Sequence, residues 1–287
     1  MLTSIKTLLA SIVDYAGLFP PAKLDMQQAI ANYTQDQTTP YNWMLGRFVL
    51  PISRLSEFEA LLPGFQLQQW SLSLILSKDW QAEIEKMQSN EKITISSLEF
   101  PPLLPAEIEK IIPHLPPGIE AFFEIPLSDN LEAYLAILQN TGAAAKIRTG
   151  GITADAFPSV TQLSQSIFSF AEAKLPFKAT AGLHHPLRGN YRLTYEPNSD
   201  FTIMHGFLNV AILAAFIYWQ KIASQQGLEL LQESSIKNFQ FKEDSITWRD
   251  RCLSLAEIEQ TRKQFFRSFG SCSFQEPIHD LKNLKLL

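Results

Sequence analysis

The 287-residue sequence predicts one α/β domain over 1–287, a closed (β/α)8 barrel of the TIM-like class with an irregular last unit. Three observations support this fold class. Short apolar runs recur along the chain, each run ends at a turn signal, and most runs precede a stretch with helical spacing. No glycine-rich phosphate motif follows the first run, which disfavours the alternative architecture, an open doubly wound sheet.

The regular units follow one another without interruption as far as residue 185. The predicted strands are residues 11–17, 47–51, 72–77, 93–100, 121–126, 143–151 and 177–185. The predicted helices are residues 1–10 ahead of the first strand, then 24–33, 55–62, 80–88, 105–112 and 130–139. Strands that alternate with helices in this way indicate parallel βαβ units.

The last unit is harder to assign. A helix predicted over 205–223 follows the seventh strand, and a competing interpretation makes 204–210 the eighth strand. The stretch 238–250 alternates around a polar turn and predicts a β-hairpin, which is the other candidate for the eighth strand. Residues 255–269 predict the last long helix, and the polar tail 268–277 could fold across an opening.

Composition narrows the classes of partner. The net charge is −5 with no long run of either sign, so nucleic acid is not an expected partner. The apolar run 210–219 is shorter than the roughly 20 residues that span a bilayer, so no membrane partner is expected. Cys252 and Cys272 cannot form a disulfide framework, are interpreted as ordinary thiols, and suggest a soluble protein in the reducing cytoplasm. Composition predicts no oligomeric state.

Two similar stretches carry the sharpest chemical feature of the sequence. Residues 143–151 read Ala-Ala-Ala-Lys-Ile-Arg-Thr-Gly-Gly and contain Lys146, and residues 177–185 read Phe-Lys-Ala-Thr-Ala-Gly-Leu-His-His and contain Lys178. Lysine is almost never fully buried without a partner or a purpose. If these strands are neighbours in the barrel, the two lysines meet.

The predicted catalytic set combines these lysines with three carboxylates at strand ends, where active sites of barrels form. Its members are Asp14, Glu99, Glu124, Lys146 and Lys178. A lysine becomes a nucleophile only when its amine is neutral, and a neighbouring cation and an apolar strand interior both favour that state. A carboxylate could then accept and return protons. The opposing interpretation is that the carboxylates only neutralise the two lysines.

A second set of residues is predicted to bind the substrate. These residues lie at the ends of strands six and seven and in the loop that follows: Arg148, Thr149, Gly150, Gly151, Thr180, His184, His185 and Arg188. The loop 186–200 is long for a compact barrel, which is typical of a lid or a binding loop, and with Arg148 it could clamp a carboxylate or phosphate. Gly150 and Gly151, at an expected helix start, could also hold an anion. We therefore expect a small, anionic substrate.

The motifs Lys146-Ile-Arg-Thr149-Gly150 and Lys178-Ala-Thr-Ala-Gly182 resemble the two lysine strands of class I aldolases of the deoxyribose-phosphate aldolase type. Those enzymes are barrels whose strand-six Lys-x-x-Thr-Gly motif carries a Schiff-base lysine, while a strand-seven lysine tunes it. The resemblance implies that Lys146 is the Schiff-base residue and Lys178 the tuning residue. It implies a lyase that needs no cofactor and acts on a small carbonyl or oxo-acid substrate. Glu99 would stand where that family has a strand-four aspartate.

Two other functions stay open. His184, His185 and His205 could hold a divalent metal that activates water for hydrolysis, although no H-x-H or H-E-x-x-H spacing supports this and no metal is predicted. Alternatively, the barrel is a scaffold without catalysis that binds a partner or a small anion. That alternative requires ion-paired lysines and no open pocket between them.

Overall fold

Eight parallel strands close into a barrel in the computed structural model of the chain, which describes residues 1–67, 69–87, 92–127 and 130–287. The strands of the described residues are β1 Val13–Tyr15, β2 Leu45–Pro51, β3 Trp70–Ile75, β4 Ile93–Phe100, β5 Glu120–Glu124, β6 Ala144–Arg148, β7 Phe177–Thr180, β8 Gly189–Arg192, β9 Phe201–Met204, β10 Phe239–Phe241, β11 Ser245–Trp248, β12 Arg251–Ser254 and β13 Phe266–Ser271. The helices are α1 Thr3–Leu9, α2 Met26–Gln37, α3 Leu55–Leu61, α4 Trp80–Lys86, α5 Pro105–Ile111, α6 Leu131–Leu138, α7 Val160–Glu172, α8 Phe207–Tyr218, α9 Ser224–Leu231, α10 Leu255–Gln264 and α11 Gln275–Asn283. The order around the barrel is β1-β13-β7-β6-β5-β4-β3-β2, and all neighbours are parallel. The predicted (β/α)8 class is confirmed.

The barrel strands are buried on both faces, as a parallel sheet covered by helices requires. In β5, for example, the consecutive residues Phe122 and Phe123 are both fully buried. Phe122 faces the interior, where its ring centre lies 5.2 Å from Nζ of Lys178. Phe123 points to the opposite face and stacks on Phe100 of β4 at 4.5 Å between ring centres. Alternation along the strands thus separates an interior for chemistry from an outer layer for packing.

Helices α2, α7 and α10 begin at capping side chains, and apolar residues of the helices pack on that outer layer. The Asp25 side chain accepts a hydrogen bond from the Gln28 amide at 2.7 Å and starts α2. Tyr33 of the same helix stacks on Trp70 and meets the edge of Phe48, with ring centres 5.2 and 5.4 Å apart. Each fully buried large apolar side chain contributes roughly 1.5–3 kcal/mol, so contacts of this kind hold helices on the barrel.

The eighth barrel strand is β13, and both positions predicted for it are wrong. Residues 204–210 contain the end of β9 and the start of α8. The predicted hairpin at 238–250 does form, as β10 and β11, but these strands pair with each other and with β12 in a separate antiparallel sheet. The hairpin therefore lies outside the barrel, next to α1, where Lys242 accepts a hydrogen bond from the Ser4 hydroxyl through its carbonyl oxygen.

The position of β13 also corrects the last predicted helix. That helix was expected over 255–269, but α10 ends at Gln264 and β13 starts two residues later. The apolar residues Phe265, Phe266 and Phe269 fit the spacing of a helix face and equally suit a buried strand, so periodicity could not separate the two. The polar tail 268–277, expected to cross an opening, instead forms the end of β13, the segment that follows it and the start of α11.

The connection after β7 contains regular structure where a plain loop was predicted. Residues 186–200 include β8, which pairs antiparallel with β9. The helix predicted over 205–223 is α8, which ends at Tyr218, and a separate helix, α9, follows. The helix predicted over 80–88 is α4, which ends at Lys86, and Gln88 lies outside the described residues. In the described part of the chain, no helix combines the length and apolarity needed to span a bilayer.

Candidate active site

Lys146 and Lys178 lie side by side inside the barrel, as the sequence predicts. They are register partners on β6 and β7, and Glu124 of β5 is the register partner of Lys146 on its other side. Lys146 is 4% exposed and Lys178 is 1% exposed. A buried ammonium group is costly unless it is paired, so the carboxylates around these amines decide what the site can do.

Glu99 of β4 joins the two amines. Its Oε1 accepts a hydrogen bond from Nζ of Lys178 at 2.7 Å, and its Oε2 accepts one from Nζ of Lys146 at 3.1 Å. The Ser73 hydroxyl also donates to Oε1, at 2.6 Å. Burial alone would raise the pKa of Glu99, but the two lysines outweigh burial and hold that pKa well below its usual range. Glu99 is therefore a fixed anion between two cations.

Asp14 of β1 is the second partner of Lys178. Its Oδ2 accepts hydrogen bonds from Nζ of Lys178 at 2.5 Å and from the Ser268 hydroxyl at 2.6 Å, while Oδ1 accepts the Arg47 amide at 3.0 Å. Burial would raise the pKa of Asp14, yet Lys178 and Arg47 keep it below its usual range. Burial would lower the pKa of Lys178, yet Asp14 and Glu99 keep it above its usual range. Lys178 consequently stays charged.

Glu124 connects Lys146 to the outer part of the site. Its Oε2 lies 3.0 Å from Nζ of Lys146, and its Oε1 accepts a hydrogen bond from Nη2 of Arg148 at 3.2 Å. The Arg148 side chain is 53% exposed and that of Glu124 is 12% exposed. Lys146 thus has one buried partner, Glu99, and one partner, Glu124, at an edge that solvent reaches. Both partners of Lys178, Asp14 and Glu99, are buried.

A cavity of about 530 Å³ opens at the carboxyl ends of the barrel strands and is lined by both lysines. Its polar lining comprises Glu99, Glu124, Lys146, Arg148, Lys178, Thr180, His184 and Cys272. Apolar side chains from several strand ends and loops complete it: Phe19, Pro20, Val49, Ile75, Pro101, Pro102 and Ile152. This mixture of apolar walls and a few convergent polar groups is typical of a small-molecule site. The lysines are ion-paired, as a scaffold requires, but a pocket is open beside them.

The turns that follow β6 and β7 pack tightly against each other. The Thr149 hydroxyl donates to the carbonyl oxygen of Ala181 at 2.5 Å. Gly182 has a φ of +78°, and a Cβ there would lie 2.7 Å from the Cα of Gly150. Thr149 and Gly150 therefore hold the two strand ends together, while Gly151 lines the cavity. This packing fixes the positions from which Lys146 and Lys178 project.

The predicted anion site at a helix start is not formed. Gly150 and Gly151 lead into the three-residue 3-10 helix Ala154–Ala156 and not into an α-helix. Two other predicted substrate-binding residues make contacts away from the cavity. Nδ1 of His185 lies 2.7 Å from the carboxylate oxygen Oδ2 of Asp280, and the backbone amide of Arg188 donates to Oδ1 of Asn209 at 3.0 Å.

The three histidines of the metal-hydrolase alternative have separate partners. Nε2 of His205 lies 2.7 Å from the carbonyl oxygen of Pro158, and His185 binds Asp280. His184 lies on the cavity wall beside Glu276. Within residues 1–67, 69–87, 92–127 and 130–287, no group of three or more His, Cys, Asp or Glu side chains is placed to hold a metal ion. These histidines do not form one ligand set.

Sequence reasoning missed several residues that contact the site. Cys272 lines the cavity and Ser268 binds Asp14, but both follow from β13, which was assigned to a helix. Ser73 supports Glu99 from the middle of β3. The available signal was the alternation of small and polar residues at Ser268, Gly270 and Cys272, which suits the crowded inner face of a barrel strand.

A larger cavity, of about 1010 Å³, opens at the opposite end of the barrel. It is lined by residues near the amino ends of the strands, among them Asp14, Arg47, Glu120 and Arg267. Glu120 forms ion pairs with Arg47 and Arg267 there, and neither lysine of the network lines this cavity. Because barrel enzymes place their chemistry at the carboxyl ends of the strands, the smaller cavity is the candidate active site.

Comparison of the chain with protein-family models, with curated proteins and with solved structures returned no match. The fold is therefore established by its strand order and register. The candidate site is defined by the contacts within it.

Proposed function

We propose that the protein is a lyase of the class I aldolase kind, in which Lys146 forms a Schiff base with a small carbonyl or oxo-acid substrate. The observation that carries the proposal is the position of the Lys146 amine. It lines the 530 Å³ cavity between Glu99 and Glu124, next to a second lysine that stays charged. The proposal also agrees with the resemblance of the strand-six and strand-seven motifs to class I aldolases.

Imine formation needs a neutral amine and a group that takes its proton, and Glu124 suits this role. Its Oε2 is 3.0 Å from Nζ of Lys146, and it lies at the edge of the cavity. In this mechanism Glu124 accepts the proton, the amine adds to the carbonyl carbon, and Glu124 returns a proton as water leaves the carbinolamine. Glu99 is less suited, because the lysines hold its pKa well below its usual range.

Lys178 supplies a fixed positive charge beside the reacting amine. The resemblance implies that this lysine favours the neutral state of Lys146. In the barrel, however, Glu99 binds both amines, so its negative charge offsets much of the repulsion between them. We therefore assign Lys178 mainly to stabilising negative charge that develops on the substrate during carbon–carbon bond cleavage.

The substrate is proposed to carry an anionic group. The half-exposed guanidinium of Arg148 lines the cavity and can bind a carboxylate or phosphate with two parallel hydrogen bonds. His184 adds a second cation on the wall. Burial disfavours its charged form, but contacts with Cys272 and Glu276 raise the pKa of His184 to about 10. A 2-oxo acid or a phosphorylated aldehyde would satisfy these groups.

The proposal is tested by trapping the imine. Protein incubated with pyruvate or glycolaldehyde and a borohydride should gain one reduced adduct per chain, which peptide mass spectrometry places at Lys146. Lys146→Arg should abolish the adduct while it keeps the positive charge between Glu99 and Glu124. Lys263→Met, which changes an exposed lysine paired with Glu259, is the matched control and should leave the adduct unchanged. Slow, equal labelling of many lysines in all three proteins would contradict the proposal.

The completeness of the charge pairing favours a second candidate function. Every cation of the network, namely Lys146, Arg148 and Lys178, has a carboxylate oxygen within 3.2 Å. A barrel whose lysines are only structural would bind a small anion in the cavity without catalysis. It would show binding heat with pyruvate by calorimetry but no adduct after borohydride.

We propose that the protein acts in the cytoplasm. Cys252 and Cys272 are both free thiols. Free thiols persist in a reducing compartment, so the state of these residues supports an intracellular site of action.

A further inference from the structure

Four side chains from four segments meet at the rim of the cavity. Cys272 directly follows β13 and is 4% exposed, and His184 follows β7. Glu276 lies in the first turn of α11, and Tyr195 lies in the loop between β8 and β9. We call these four residues the rim cluster. Two of them, His184 and Cys272, line the same cavity as the lysines.

The contacts of the rim cluster form a short chain. Oη of Tyr195 lies 3.4 Å from Sγ of Cys272 and donates to Oε2 of Glu276 at 3.2 Å. Oε2 of Glu276 lies 3.3 Å from Nδ1 of His184. The Ser273 hydroxyl accepts a hydrogen bond from the Glu276 backbone amide at 3.2 Å and so helps to fix the position of Glu276. Tyr195 and Glu276 thus connect the Cys272 thiol to the His184 imidazole, and a thiol, an imidazole and a carboxylate brought together are the groups that activate cysteine nucleophiles.

The charges within the cluster favour an ionised pair. Burial would raise the pKa of the Cys272 thiol, but His184 outweighs burial and lowers that pKa. Glu276 has a pKa below its usual range despite burial, again because of His184. Burial and the two anions raise the pKa of Tyr195, so its hydroxyl stays protonated and remains a donor. A thiolate beside an imidazolium is the state that these contacts support.

The contacts around His184 leave its Nδ1 atom available for a further hydrogen bond. Its Nδ1 is buried and has no aligned hydrogen-bond partner among the described residues, although Oε2 of Glu276 lies 3.3 Å away. The other titratable groups that face the cluster are Tyr15 of β1, which is near Cys272, and His185, whose Nε2 lies 3.8 Å from Glu276. His185 is itself bound to Asp280. An unpartnered, buried donor on a cavity wall is a group that a ligand oxygen could satisfy.

We propose that Cys272 is a second nucleophile of the cavity, which captures a small anionic aldehyde as a thiohemiacetal with His184 as the proton donor. In this step the Cys272 sulfur forms a bond to the carbonyl carbon and the carbon–oxygen π bond breaks. The oxygen takes a proton from the His184 imidazolium, so no oxidant or reductant is needed. Reversal releases the aldehyde. The inference depends on the rim cluster alone and holds whether or not Lys146 forms an imine.

The first experiment measures the reactivity of the two cysteines of the chain. Cys252 is exposed on β12, away from such a cluster, and serves as the internal control. At pH 6, iodoacetamide should alkylate Cys272 at least about tenfold faster than Cys252, because a thiolate reacts and an ordinary thiol is almost fully protonated there. His184→Gln and, on the exposed loop, Tyr195→Phe should each reduce this advantage. Equal or slower alkylation of Cys272 would overturn the proposal.

A second measurement does not depend on access of a reagent. The ultraviolet absorbance of a thiolate, followed against pH, should show one thiol that ionises at a lower pH than an ordinary cysteine in the wild type and in Cys252→Ser, and no such thiol in Cys272→Ser. Glyoxylate should then slow alkylation of Cys272, and acetate, which lacks the aldehyde, should not. Protection by glyoxylate must persist in Lys146→Arg. Loss of the protection in that variant, or the absence from the wild type of a thiol that ionises at a lower pH, would overturn the proposal.

Discussion

The floor of the cavity and its rim hold charged groups in different ways. We define the floor as the buried ion-pair network of Glu99, Lys146 and Lys178, which line the cavity, together with Asp14, which binds Lys178 from behind and lines the opposite cavity. Each floor residue has at least two charged or hydroxyl partners within 3.1 Å and is at most 4% exposed. The rim cluster is looser: in the described part of the chain Nδ1 of His184 has no aligned partner, and Tyr195 is 54% exposed.

The difference follows from where the side chains originate. Floor residues project from barrel strands whose register is fixed on both sides, so their distances cannot change without breaking the sheet. Rim residues come from strand ends, a hairpin loop and the start of a helix. A change in the floor should therefore cost stability as well as chemistry, whereas a change in the rim should alter reactivity with little cost in stability.

The largest effect is expected from Lys178→Met. This variant leaves Asp14 and Glu99 buried without their shared cation, which should lower the free energy of unfolding by about 3–5 kcal/mol in urea denaturation. The double variant Asp14→Asn with Lys178→Met should recover part of the loss, because one uncompensated charge is removed. The exposed control Lys263→Met should change the free energy by less than about 0.5 kcal/mol. If Lys178→Met lowered the free energy of unfolding as little as the control does, the proposed difference in stability between floor and rim would be contradicted.

Acid should destabilise the floor. Asp14 and Glu99 have folded-state pKa values below those of the unfolded chain, so the stability they contribute is present above about pH 4 and is lost as the pH falls below it. Lys178 has a raised folded-state pKa, so its contribution is complete below about pH 10 and is lost only at higher pH. The free energy of unfolding should fall less between pH 7 and pH 3 in the double variant Asp14→Asn with Lys178→Met than in the wild type. An equal fall in the two proteins would show that groups other than Asp14 and Lys178 cause the acid sensitivity.

Substitutions in the rim cluster should affect the reactivity of Cys272 more than the stability of the fold. Tyr195→Phe and Glu276→Gln should each lower the free energy of unfolding by less than about 1 kcal/mol, since the groups they change are partly exposed. The same variants should slow alkylation of Cys272. Denaturation and alkylation of one protein sample test both statements, and a stability loss equal to that of Lys178→Met would contradict them.

Among the substitutions of cavity residues, Arg148→Met is expected to have the smallest effect on stability. Its pair with Glu124 is half exposed, so the free energy of unfolding should change by less than about 0.5–1 kcal/mol. Binding of pyruvate should weaken by on the order of tenfold, whereas binding of hydroxyacetone, which has no carboxylate, should not change. Calorimetric titration of both ligands measures this, and an equal loss for the two would show that Arg148 does not recognise an anion.

Much of the fold could be predicted, because parallel strands buried on both faces leave a simple pattern of apolar runs. Each of the seven runs up to residue 185 overlaps a barrel strand. The eighth could not be found in this way. Phe266–Ser271 follows α10 almost directly, so one apolar pattern covers the end of a helix and a strand, and only closure of the barrel between β7 and β1 separates them.

The same reasoning explains the limits of the site prediction. The floor was predictable because alternation and register place Lys146, Lys178 and Glu99 at known positions relative to the strands. The rim was not, because the contact between Tyr195 and Cys272 joins residues 77 positions apart through the conformation of a loop. Local periodicity has no information on such contacts.

The most direct test of the central claim is a crystal structure of the protein reduced with borohydride in the presence of pyruvate. The account predicts continuous electron density from Nζ of Lys146 into the cavity, with the carboxylate of the adduct at Arg148 and with Lys178 still bound to Asp14 and Glu99. Density on Lys178, or an unmodified Lys146 that still contacts both Glu99 and Glu124, would contradict it.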